Sequence, residues 1–61
     1  MDRTFLITIG QLPHDAVTFY DTANGIAGVM NKAKTMIQTI WEESYDPLKH
    51  FIRIVEQAPE E

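Results

Sequence analysis

From Ile26 to Glu43 the apolar residues are Ile26, Val29, Met30, Ala33, Ile37, Ile40 and Trp41. Their spacing follows one stripe of a 3.6-residue helix. Asn31, Lys32, Lys34, Thr35, Gln38, Thr39, Glu42 and Glu43 fall mostly on the other side. No Pro interrupts the run, and its Ala, Met, Lys, Gln and Glu favour helix. The pattern predicts one long amphipathic helix that ends by Ser44. A lone helix with so wide an apolar stripe must bury it against something else in the chain.

The flanking segments supply strands. Arg3 to Gly10 alternates Phe5, Ile7 and Ile9 with Thr4, Leu6 and Thr8, the period of a half-buried strand. Leu12-Pro13-His14-Asp15 reads as a turn, with Pro13 pre-setting φ and Asp15 able to close an Asx turn. Ala16 to Asp21 is again rich in β-formers, with Val17 and Phe19 on one face; its rival is a short helix opening at Pro13. Asp21 and Thr22 are plausible N-terminal caps for the long helix. Gly25 and Gly28 weaken its first turns, so it starts nearer Asn24. Tyr45-Asp46-Pro47 forms the next turn.

Leu48 to Gln57 is ambiguous. Asp46 as cap, Pro47 at the first position and Leu48, Phe51, Ile52 and Val55 at helical spacing would suit a helix. The β-branched Ile52, Ile54 and Val55 favour strand. Residues 58–61 read as a frayed tail.

The resulting order is ββαβ, an α+β fold. Two strands form a hairpin and the helix carries the chain back along the sheet. A right-handed crossover then lets the third strand pair antiparallel with the first. This predicts a three-stranded antiparallel sheet of order 2-1-3 with one long helix on one face. Phe5, Ile7, Ile9, Val17, Phe19, Ile52 and Ile54 would face the helix. Leu6, Tyr20, Phe51 and Val55 would then lie on the opposite face, diluted by Thr4, Thr8, Thr18 and Arg53. Trp41 belongs to the helix stripe, so it is expected in the core, though an indole at a sheet rim can also anchor an interface.

Size and charge narrow the functional classes. With 61 residues the chain is one small domain with a marginal core. It has no Cys, which removes disulfides and thiolate zinc sites and leaves oligomerisation as the favoured source of extra burial. Nothing resembles a signal-peptide core or the roughly 20 apolar residues of a membrane span, so a cytoplasmic location is expected. Nine acids against five bases give a net charge of −4. That balance lacks the basic footprint of a direct nucleic-acid binder.

Catalytic signals are equally thin. His14 and His50 show no ligand spacing and are expected at the surface, so no metal or other cofactor is anticipated. Ser44 is the only Ser and has no nucleophile-elbow context. Glu42 and Glu43 are neighbours on a helix and point about 100° apart, which is no carboxylate dyad. Gly25-Ile26-Ala27-Gly28 matches a GxxG turn that could hold an anion or RNA backbone. However, no base lies between Arg3 and Lys32, and small residues there also allow close helix–sheet approach.

The expectation is therefore a non-enzymatic protein-binding module. Leu6, Tyr20, Phe51 and Val55 are assigned to self-association as a homodimer. Trp41, Glu42, Glu43 and Asp46 are assigned to a basic patch on a larger protein. Acids at a helix C-terminus oppose the dipole by about 0.3–1 kcal/mol each, which hints that they have a use. Such a chain suits an inhibitor or accessory factor, for instance from a phage or other mobile element. The alternatives are a structural self-assembly module, a DNA mimic, and an anion or RNA binder through the GxxG turn. The acids fall into two groups, Glu42, Glu43 and Asp46 in one and Asp21, Glu56, Glu60 and Glu61 in the other. Regular phosphate-like spacing is therefore lacking.

Overall fold

A computed structural model describes residues 2–12 and 15–57. Strands β1 (Arg3–Gln11) and β2 (Asp15–Ala23) precede helix α1 (Ile26–Trp41) and strand β3 (His50–Glu56). The sheet has the order β2-β1-β3, and both pairings are antiparallel. The topology is the expected one, and residues 50–56 are strand rather than helix. Pro13, His14 and the tail expected at 58–61, with its Glu60 and Glu61, lie outside the described residues.

Strand alternation sorts the side chains as β-geometry requires. Phe5, Ile7 and Ile9 of the central strand are fully buried beneath Val29, Ala33 and Ile37 of α1. Each large side chain among them contributes roughly 1.5–3 kcal/mol by leaving water. Val17 and Phe19 on β2, and Ile52 and Ile54 on β3, pack against this core but are only half-buried. The cause is geometric. A helix about 10–12 Å wide seated over β1 leaves the outer halves of strands about 4.8 Å to either side uncovered. The helix stripe is likewise trimmed, since Ile26 and Ile40 in its end turns are exposed.

Several boundaries differ from expectation. Asp21 and Thr22 do not cap the helix, because β2 continues to Ala23 to complete its nine-residue register with β1. Asp21 instead places a carboxylate oxygen 3.9 Å from Lys32 Nζ. The residue before α1 is Gly25, without a side-chain cap. An added Cβ on Gly28 would meet the Ala23 side chain at an ordinary 3.5 Å, so close packing does not require glycine there. Asp15 belongs to β2 rather than to a turn. Leu48 and Lys49 form the turn before β3, where Asp46 Oδ1 accepts from the Leu48 amide at 2.9 Å.

Glu42 and Glu43 lie beyond the helix. Glu42 closes α1 in the left-handed region (φ 58, ψ 35), its N–H donating to Gln38 O at 2.8 Å. A side chain in that conformation costs roughly 1–2 kcal/mol, a cost glycine avoids. Glu42→Gly is therefore expected to stabilise the fold by about 0.5–1 kcal/mol, read as a raised midpoint in urea unfolding. An unchanged or lowered midpoint would show that the Glu42 side chain has a compensating contact.

Gly10 has a specific task on the open face. It is fully enclosed because the Phe51 ring of β3 lies across it, occupying the place of a Cβ. An aromatic ring laid over a strand glycine restores the packing that the missing side chain forfeits.

Candidate functional site

Two regions gather the sequence-predicted residues. The first is the face of the sheet turned away from α1. Tyr20, Leu6 and Val55 are direct neighbours across β2, β1 and β3, forming one apolar row. Tyr20 is 66 % exposed, Val55 41 % and Phe51 38 %, while Leu6 in the centre is half-buried. Between this row and Phe51 lies a polar row of Thr18, Thr8 and Arg53. The Thr8 and Thr18 hydroxyls sit 3.1 Å apart across the strands. Three of the four residues assigned to self-association are thus contiguous, and Phe51 stands beyond the polar row.

The second region is the end of the sheet beneath the α1 C-terminus. There His50 opens β3 and is buried, contrary to the surface position expected of it. It shares the helix-facing side of the sheet with Ile52 and Ile54, and pairs with Gln11 at the end of β1. The Asp46 backbone N–H donates to His50 Nδ1 at 2.9 Å. The same Nδ1 lies 3.2 Å from the Asp46 carbonyl oxygen, so both polar groups of the Asp46 backbone face this ring nitrogen. Nε2 lies 3.0 Å from Glu43 Oε1, outside hydrogen-bond geometry. Glu43 Oε1 also accepts from Gln11 Nε2 at 3.1 Å. The Trp41 and Tyr45 rings lie 6.0 and 6.1 Å from the imidazole, centroid to centroid, and Lys34 Nζ stands over Tyr45.

This cluster gives most of the predicted partner-binding residues an internal role. Trp41 packs on the core and the imidazole. Glu43 joins Gln11 and His50 across the sheet end. Asp46 folds the β3 approach, its carbonyl accepting from the Lys49 and His50 amides at 2.9 and 2.7 Å. Of the two acids expected to oppose the helix dipole, Glu43 lies beyond the helix and approaches the buried ring. Glu42 is exposed and makes no ion pair among the described residues.

Of the second acidic group, Asp21 and Glu56 are among the described residues. Asp21 and Glu56 flank Phe5 at the opposite end of the sheet. Glu56 pairs with Arg3 at 3.2 Å. Among the described residues no set of three His, Cys, Asp or Glu side chains is placed to hold a metal ion, and no helix is long and apolar enough to cross a membrane.

Two exposed leucines escaped the sequence reasoning. Leu12 and Leu48, the latter 86 % exposed, are brought to the same end of the molecule by the Leu12 N–H bond to Lys49 O at 2.7 Å. The available signal was that each adjoins a proline within a turn segment. Neither protein-family models nor curated proteins nor solved structures give a match to this chain. Its function has to be inferred from its own surfaces.

Proposed function

We propose that this chain is a small non-enzymatic protein-binding module that pairs with its own copy through the open face of the sheet. Its acidic end, around Trp41, Glu42, Glu43 and Asp46, would contact a basic patch on a larger protein, as an inhibitor or accessory factor does. The observation that carries the proposal is the uncovered Tyr20–Leu6–Val55 row with Phe51 beside it. A domain of this size gains proportionally more than a large one from covering such a row, because its own core is so limited. A two-fold axis through the row places the same patch on both copies, as an isologous contact requires. The buried His50 imidazole offers no surface to a substrate, which favours binding over catalysis.

Sedimentation equilibrium tests the self-association. Tyr20 is exposed, so Tyr20→Lys should leave the circular dichroism spectrum unchanged. The affinity of copy for copy should instead fall about a hundredfold, roughly 2.7 kcal/mol. Association of the variant equal to that of the wild type would remove the open face from the proposal.

A further inference from the structure

We infer that the outer edge of β2 is a second self-association surface, at which two copies join their sheets antiparallel about a two-fold axis through Phe19. The inference rests on main-chain groups and the helix side of the sheet rather than on the Leu6–Val55 row, and the two surfaces share only Tyr20 of β2.

The edge itself is the first observation. β2 pairs with β1 over nine residues, Arg3↔Ala23 through Gln11↔Asp15, with no bulge in the register. Among the described residues no strand lies on its other side. Along Asp15–Ala23 there is no Pro, Lys or Arg, the residues that usually guard a sheet edge against pairing. The opposite edge is shorter and carries a base, for β3 has only seven residues and includes Arg53. Every second backbone N–H and C=O of β2 therefore points outward along an edge without bulge or proline, whose charged side chains are Asp15 and Asp21, the latter 3.9 Å from Lys32 Nζ.

The second observation is incomplete cover on the helix side. Phe5, Ile7 and Ile9 are sealed, but Val17 and Phe19 of β2 remain half-buried. A second copy joined at this edge would bring its own helix to the same face. The two helices would lie about three strand spacings apart, roughly 14 Å, with Val17, Phe19 and their mates as the floor between them.

The third observation is self-complementarity, which selects a second copy over a foreign strand. Phe19 is the midpoint of β2, so the two-fold opposes Phe19 to itself in a favourable aromatic pair. All nine residues then overlap. Thr18 meets Tyr20 of the second copy, Val17 meets Asp21, and Asp15 meets Ala23. No acid faces an acid. Shifting the centre to Thr18 would oppose Asp15 to Asp21, a like-charge pair. A specific interface buries about 1,000 Å² in total, or about a ninth of each copy's 4439 Å² surface. A nine-residue edge with its flanking side chains is of that scale. Where the open faces also stack, the two kinds of two-fold axis can close a tetramer rather than an open chain.

The test is a charge-swap pair read by light scattering. Val17→Glu places a carboxylate opposite Asp21 of the second copy and should halve the mass of the assembly. Adding Asp21→Lys in the same chain should restore it, because the introduced carboxylate of one copy then faces the introduced ammonium of the other. Within one chain these positions are four residues apart along a strand, roughly 13 Å, so a mere folding defect would not be rescued. Hydrogen exchange on the wild type gives the second readout, should Val17→Glu fail to fold. Alternate β2 amides should become at least tenfold slower to exchange as the assembly forms, with no matching change in β3. A wild type that stays monomeric at millimolar concentration would overturn the inference. So would a mass indifferent to the swap, or β2 amides that exchange equally fast in the assembled state.

Discussion

His50→Ala is expected to destabilise the protein by about 2–4 kcal/mol, the combined effect of a buried cavity and an orphaned amide. The imidazole is buried between the sheet end and the residues that follow α1. Removing it leaves the Asp46 N–H without its acceptor and takes away the surface on which Trp41 and Tyr45 pack. It also frees Glu43 on one side, leaving only the Gln11 amide. The connection from Glu42 to Lys49 would then be held by its own Asp46 turn, the Gln11–Glu43 bond and the Leu12 N–H bond to Lys49 O. His50→Asn separates the contributions, because an amide oxygen can replace Nδ1 as acceptor while the ring volume is lost. Urea unfolding should rank wild type above Asn and Asn above Ala. A loss below about 1 kcal/mol for Ala, typical of a surface site, would mean that the ring is not enclosed as described.

Phe5→Ala should be more damaging still, at about 3–5 kcal/mol. Phe5 is fully buried on the central strand, with Asp21 and Glu56 as its cross-strand partners and the Arg3 guanidinium 5.6 Å from its ring centroid. A chain of this length holds only about 3–9 kcal/mol of folding free energy, scaling from 0.05–0.15 kcal/mol per residue. Loss of this one side chain should therefore leave a large fraction unfolded at 25 °C. Far-ultraviolet circular dichroism would show the loss directly. Phe19→Ala provides the internal comparison, since its half-buried ring should cost clearly less. Equal losses at the two positions would contradict a core centred on β1. If copies join at the β2 edge, the cost at Phe19 should grow with protein concentration.

The positions of these residues were legible in the sequence to different degrees. Phe5, Ile7 and Ile9 recur at every second position of a β-rich run, and Val29, Ala33 and Ile37 recur at helical spacing, so the core strand and its helix could be named from pattern alone. The open-face residues Leu6, Tyr20, Phe51 and Val55 followed, because period-2 alternation assigns one face as soon as the other is assigned. Element ends were less visible. Asp21 and Thr22 have the chemistry of caps, yet pairing with Phe5 and Thr4 keeps them in β2. Glu42 and Glu43 have good helix propensity, but the chain must turn there to reach β3.

By itself, the sequence determined the ββαβ order, the helix and the two faces of the sheet. These depend on local periodicity, which any chain with these spacings would carry. Only the tertiary structure decided that His50 is buried, that Glu43 meets it together with Gln11, and that Phe51 covers Gly10. Those contacts join residues 7 to 41 positions apart in the chain, and no local pattern encodes a meeting set by sheet register. The half-cover of Val17 and Phe19 was hidden for a related reason. A hydrophobic pattern marks which side chains point inward, but the width of the single helix above them decides how many are sealed.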